Sequence, residues 1–343
     1  MRTVSRPSRV LSLLLPVALL ACGDGGKDRV TDSGDGQPLA EQLTIKEVLY
    51  QKDGSAVVVL LRPDGRVVQL PIAECASDVV YDRIHNIPFP RPLTHDLFKE
   101  VADELGLAVP QVTIDVVGDS AVAHVSVARG STVVDLEASP GDALAVAQLT
   151  FADIVGTAAL LEQLTVGLED GSESTAPAEK PALGGQPAPA ARQSQSQPVA
   201  LSFLAFSRNP ARGGVGLLFI DADSTSVFTM IVGFCQGMAF YQALQDVQLG
   251  PFPAHRLLYN LVEAGNGTIT HAGVIAIRDH TFIGELGIRG DGGDAAIDAR
   301  PSDAVTLATL AGAPVLIDAD LLAEHREDAG PYLQQLEDRG GGG

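Results

Sequence analysis

The chain has 343 residues, enough for two domains of ordinary size, and 45% of them are hydrophobic, so a substantial core can form. Its formal net charge of −20 opposes non-specific binding to nucleic acid, and the absence of Trp with only 5% aromatic residues argues against an aromatic-lined carbohydrate or single-strand binder. Three Cys in this length exclude a disulfide-dense scaffold.

Residues 1–21 read as an address rather than as fold. Arg2, Arg6 and Arg9 give a positive start, and Val10 to Leu20 is an apolar run broken only by Ser12 and Pro16. The run falls short of the roughly 20 apolar residues that a mature membrane helix needs, and its layout is that of a secretory signal. Leu19-Leu20-Ala21-Cys22 resembles the lipobox of bacterial lipoproteins, which implies cleavage before Cys22 and a diacylglycerol on its thiol. The alternative is an ordinary signal with an incidental Cys. Residues 22–40 are too polar and Gly-rich to pack and read as a flexible tether. The expected location is the bacterial envelope, held to the bilayer through acylated Cys22. Gly23, in place of a retention-type Asp, favours the outer membrane.

The first folded unit is expected over 41–168. Leu43 to Tyr50, Ala56 to Leu61 and Val67 to Ile72 predict three strands, separated by Lys52-Asp53-Gly54 and Pro63-Asp64-Gly65 turns. Ala76 to Ile84 is a short helix. A clearer helix starts at Thr94, taken as its cap, with Leu97, Phe98, Val101 and Leu105 on one stripe and Gly106 closing it. Val112 to Val117, Ala121 to Val127 and Thr132 to Leu136 predict three more strands. Ser139-Pro140-Gly141-Asp142 opens a last helix, with Pro near its first position and Asp in its first turn.

Residues 169–198 are rich in Pro, Ala, Ser, Gln and Gly, cannot offset their ordering entropy by burial, and read as a disordered linker. Beyond it, over 199–326, the pattern repeats. Aligning Cys75 with Cys235 brings His95 onto His255. With a one-residue gap, Leu136 to Ala143 then meets Ile297 to Ala304, and Leu160-Leu161 meets Leu321-Leu322. A period of about 160 residues is a duplicated domain, since solenoid units run roughly 20–50. Strands extend up to Val232, a helix covers Leu257 to Val262, strands lie around Gly273 to Ile277 and Phe282 to Ile288, and a helix starts at Pro301. The fold class is α+β: two tandem copies of an antiparallel-sheet-plus-helices domain. Residues 327–343 read as a C-terminal tail.

Arg91-Pro92-Leu93-Thr94-His95-Asp96-Leu97 resembles a hallmark of the bifunctional nuclease domain family. So do Asp298-Ala299-Arg300-Pro301-Ser302-Asp303-Ala304, followed by Gly312-Ala313-Pro314-Val315, and the opening hairpin ending Leu70-Pro71-Ile72. The resemblance covers roughly Leu43 to Glu162 and Val199 to Glu324. It implies an α/β-roll type of domain, a tendency to self-associate, and cleavage of DNA and RNA. Each copy departs from the pattern. Copy one carries Ser139-Pro140-Gly141-Asp142 where the family has Arg-Pro-Ser-Asp, and copy two carries Phe252-Pro253-Ala254-His255-Arg256 at the first motif. The family's acidic helix after the Pro-Ile strand has become Glu74-Cys75-Ala76-Ser77 and Phe234-Cys235-Gln236-Gly237. Either each copy has decayed, or the halves supply one composite site across their interface.

Hydrolysis of a phosphodiester needs an activated water and stabilised charge on phosphate. His95 and its counterpart His255 are candidates for moving the proton. Asp96, Asp142 and Asp303 are candidate carboxylates, with Asp142 and Asp303 the choices for holding Mg²⁺ or Mn²⁺. Arg300 is a candidate phosphate clamp. The structural alternatives are a turn at His95, helix-start charges at Asp142 and Asp303, and an Arg300–Asp303 pair. Cys75 and Cys235 read as two buried thiols inherited by duplication, able to pair only if the domains meet there around a pseudo-twofold axis. No metal-type Cys/His spacing, phosphate-binding Gly loop or nucleophile elbow is present. Two functions follow: a metal-assisted nuclease acting outside the cytoplasm, or a catalytically silent tethered module that binds a partner.

Overall fold

The computed structural model describes residues 40–51, 55–87, 92–166, 197–209, 214–247, 253–278 and 281–340. The expected signal, Cys22, almost all of the tether, and nearly all of the linker lie outside the described residues, as do Arg91 and Phe252 of the motifs.

Domain one runs β1 (Ala40–Tyr50), β2 (Ala56–Leu61), β3 (Val67–Ile72), α1 (Glu74–Ile84), α2 (Thr94–Glu104), β4 (Ala108–Val117), β5 (Ser120–Arg129), β6 (Thr132–Ala138), α3 (Pro140–Thr150), β7 (Asp153–Thr157), α4 (Ala158–Leu164) and β8 (Thr165–Val166). Domain two repeats this order as β9 (Pro198–Asn209), β10 (Gly214–Asp221), β11 (Ser226–Val232), α5 (Phe234–Gln245), α6 (Ala254–Ala264), β12 (Thr268–Arg278), β13 (Thr281–Gly290), β14 (Gly293–Ala299), α7 (Pro301–Ala311), β15 (Val315–Asp318), α8 (Ala319–His325) and β16 (Glu327–Asp328), and ends in α9 (Gly330–Gly340). The segment expected as a tail is therefore a strand and a helix as far as Gly340. Tyr332 and Leu333 of α9 pack against Leu218, Ile220 and Val227, and this apolar contact holds the helix down.

Each sheet has eight strands, in the order β6-β5-β4-β7-β1-β2-β3-β8 and its exact repeat in domain two. The fold class is α+β, but the sheets are mixed rather than wholly antiparallel. β7 runs parallel to β4 and β15 parallel to β12, because α3 and α7 carry the chain back over the sheet before those strands enter. α4 touches both β3 and β4, although three strands separate them in the sheet. At roughly 4.8 Å per strand, a seven-residue helix reaches both only because the sheet curls around it.

The local causes are plain. β2 is apolar along its whole length and is buried on both faces except at Leu61. The α2 stripe of Leu97, Phe98, Val101 and Leu105 is fully buried. Helix α2 starts at Thr94 rather than being capped by it: the Leu93 N–H donates to Asp96 Oδ2 at 2.8 Å, so the cap lies one residue earlier. At α3 the Ser139 Oγ accepts from the Asp142 N–H at 3.1 Å, and Pro140 occupies the first turn.

The domains share one core. α2 packs against α6 and β14, and α6 against β6. Leu105 of domain one sits on glycines of domain two, where a Cβ at Gly290 would come within 2.7 Å of its Cδ2. Arg129 crosses the seam to donate to the Gly265 carbonyl at 3.2 Å and to Asp291 at 2.7 Å. Cys75 and Cys235 form a disulfide between the starts of α1 and α5, with Cα atoms 5.9 Å apart. The expectation of two buried thiols is thus overturned: the domains do meet there, and Cys75 is exposed.

Candidate functional site

The seam between the domains opens into a cleft of about 600 Å³. The ends of α1 and α2 from domain one and of α5 and α6 from domain two meet around it, so equivalent residues face each other. His95, Asp142, His255 and Arg300 line it, with Thr94 and Ser139 beside them and the disulfide at its wall.

Each histidine is paired with the carboxylate at the start of the following long helix. His95 Nε2 donates to Asp142 Oδ1 at 2.8 Å, and His255 Nε2 donates to Asp303 Oδ1 at 2.8 Å. All four residues are buried, Asp303 to 1% exposure. With Nε2–H committed to a carboxylate, the neutral imidazole carries its lone pair on Nδ1. In His95 that nitrogen is buried and has no partner among the described residues.

The two pairs differ in what surrounds them. Asp142 Oδ2 accepts from its own helix cap, Ser139 Oγ, at 2.7 Å. Asp303 takes Arg300 Nε on Oδ2 at 2.6 Å and Nη2 on Oδ1 at 3.1 Å. Arg300 Nη2 also donates across the seam to Thr94 Oγ1 at 3.0 Å, and the Thr94 hydroxyl donates to Asp303 Oδ1 at 3.1 Å. Arg300 Nη1 faces no partner among the described residues. Burial alone would raise the Asp303 pKa. The His255 N–H and the Arg300 guanidinium outweigh it and hold the carboxyl at about 2.

This arrangement resolves the departures noted in the sequence. Thr94 is retained only in copy one, where copy two has Ala254; Arg300 is retained only in copy two, where copy one has Ser139. The retained halves meet one another at Asp303. At the pseudo-equivalent position Asp142 has, among the described residues, only His95 and its own Ser139 as side-chain partners, and Ala254 brings no hydroxyl. One full site is composite and its twin is simplified.

Asp96 does not join the cleft. It caps α2 and pairs with Arg83, whose Nη2 donates to its two oxygens at 2.5 and 2.6 Å. The divalent-ion expectation meets a donor set that does not fit it. Both oxygens of Asp142 and of Asp303 are already taken by protein donors, and among the described residues no three His, Cys, Asp or Glu side chains converge. Thr94 was legible only as a helix start, and its cross-domain role depends on contacts 206 and 209 residues away in the chain.

A family model described as "Bifunctional nuclease domain" matches residues 58–169 and 217–329. None of the curated proteins matches the chain.

Proposed function

Because the chain belongs to the bifunctional nuclease domain family, we propose that its interdomain cleft hydrolyses nucleic-acid phosphodiesters by paired-histidine acid–base chemistry. The observation that carries this reading is the convergence of His95 with Asp142, His255 and Arg300 on one cleft, with Asp303 buried behind His255 and Arg300. His95, whose buried Nδ1 carries the lone pair and must turn toward the cleft when substrate binds, takes the proton of the attacking water as the new P–O bond forms. His255 enters as the imidazolium, keeps its Nε2–H on Asp303 and gives the Nδ1 proton to the leaving oxygen as the old P–O bond breaks. Arg300 Nη1 is left to meet the phosphate, while Nε and Nη2 hold the guanidinium in place. Asp142 and Asp303 fix the imidazole orientation, as the carboxylate does in a catalytic triad. The committed carboxylate oxygens favour a metal-free route over the Mg²⁺ or Mn²⁺ route.

The test is cleavage of supercoiled plasmid and of single-stranded RNA by purified chain, with and without chelator. Activity is expected to survive chelator and to fall roughly 10²-fold or more in His95→Ala and His255→Ala proteins whose unfolding transitions show retained structure. Chelator-sensitive cleavage would restore the metal reading. A clean protein with no cleavage on either substrate would sink catalysis. A silent binding module is the second reading, favoured by the near-complete burial of Asp303 and both histidines.

We also propose that the protein works outside the cytoplasm, in the bacterial envelope, lipid-anchored through Cys22, with the outer membrane as the favoured location. The support is the lipobox-like Leu19-Leu20-Ala21-Cys22 and an interdomain disulfide of the kind that persists in oxidising compartments. Labelling with an alkyne fatty acid should mark the native chain and not Cys22→Ala. Recovery of unlabelled native chain in the soluble fraction would overturn the anchor.

A further inference from the structure

Domain two carries a groove of about 970 Å³ between β9, β10, α5 and α9. Leu204, Phe206, Phe234, Met238, Tyr241 and Leu336 form most of its lining. None of its lining residues is Asp, Glu, Lys, Arg or His, although 19% of the chain is charged. Phe206 packs against Phe203, Phe240 and Tyr241 with ring centroids 4.9 to 6.0 Å apart. Phe234 stands 67% exposed at the groove's edge.

The duplicated domain supplies an internal comparison. Strand registers place Leu204 and Ala205 where domain one has Lys46 and Glu47, and the helix alignment places Phe234 and Met238 where it has Glu74 and Asp78. On that domain the surface is polar. Lys46 and Glu47 pair at 3.6 Å, and Asp78 accepts from the Tyr50 hydroxyl at 3.0 Å. The shared fold therefore does not require an apolar surface at this place. Among the described residues only domain two adds a helix, α9, whose Tyr332, Gln335 and Leu336 form the opposite wall.

We infer that this groove binds a long-chain fatty acid. The volume lies within the roughly 300–1,000 Å³ of small-ligand sites, and an uncharged wall with aromatic rings and a flexible Met suits a methylene chain. The direction of binding comes from continuity with the interdomain interface. Phe234 and Met238 line both the groove and the cleft, and among the described lining residues only the cleft end offers a cationic group, Arg300, so the chain lies along α5 with its carboxylate toward the cleft. This inference does not depend on hydrolysis in the cleft.

The experiment uses the full chain as Cys22→Ala, which carries no acyl group of its own, titrated into a fatty acid bearing a dansyl fluorophore on its chain. Saturable, blue-shifted fluorescence with a micromolar Kd, displaced by palmitate, is expected. The double variant Phe234→Glu/Met238→Asp installs the residues that domain one already tolerates, and it should weaken binding at least tenfold with an unchanged unfolding transition. Absence of a saturable signal, or equal binding by the double variant, overturns the inference. So does a native dimer that becomes monomeric in the double variant without any fatty-acid binding, since a second copy is then the occupant.

Discussion

Asp303 concentrates more interaction than any other site residue: it accepts from His255, Arg300 and Thr94 while almost fully buried. Its folded pKa of about 2 lies below the ordinary carboxylate value. A depressed folded pKa means that the unfolded chain binds the proton more readily. The stabilisation is therefore complete above the unfolded value of about 3.9 and is lost as pH falls through about 2, roughly 2–3 kcal/mol in all. Asp303→Asn should cost about 2–4 kcal/mol near neutrality, because it takes the anionic partner from the partly buried Arg300 guanidinium and from the buried His255. It should also flatten the acid limb of stability between pH 4 and 2. Urea unfolding at stepped pH measures both, and an unchanged acid limb in the variant would show that the charge is not what Asp303 contributes. The residue types of the site were readable in the sequence, because His95, Asp142, His255, Arg300 and Asp303 stand in motifs. Their roles were less so. Asp96 looks equivalent to Asp142 in the chain, yet one caps its own helix and the other meets a histidine 47 residues away.

Elements with strong local signals were legible almost to the residue. β2 is an apolar run, β2 and β3 are joined by a short turn at Pro63-Asp64-Gly65, and α2 closes at Gly106, which adopts the positive φ of 65° its position needs. The parallel pairing of β7 and β15 was not legible, since nothing local records which distant strand a short segment joins. The expected antiparallel sheet failed there. Gly141 shows how a motif departure acquires a cause only in three dimensions. A Cβ there would lie 2.6 Å from Ala76 Cβ, so the close approach of α3 to α1 excludes the family's Ser. At the end of the same helix, Phe151 holds φ 56° and is 93% exposed, whereas its counterpart Gly312 holds φ 66°. A left-handed cap suits glycine and costs other residues about 1 kcal/mol. Phe151→Gly should therefore stabilise the chain by about 1 kcal/mol, read as a higher urea midpoint at unchanged slope. A lower midpoint would show that Phe151 makes a contact that outweighs its backbone conformation.

At the scale of the molecule, the question is what keeps two copies in the relation that builds the composite cleft. The seam combines a shared apolar core, the Arg300–Thr94–Asp303 network and the Cys75–Cys235 bond. The covalent bond differs in kind, because it acts mainly on the unfolded chain. It joins residues 160 apart, a closure whose chain-entropy value is about 5 kcal/mol. None of the seam's packing or hydrogen bonds named above runs through the sulfurs, so Cys75→Ser/Cys235→Ser should remain folded with its cleft assembled. Its unfolding free energy should fall by roughly 2–5 kcal/mol, and mild reductant should move the native chain to the same midpoint. The exposed position of Cys75 makes that reduction possible without prior unfolding. One cooperative transition is expected in both forms, because the core is continuous across the domains. Two separated transitions in the reduced form would mean that the disulfide, and not the packing of α2 on α6, holds the domains together.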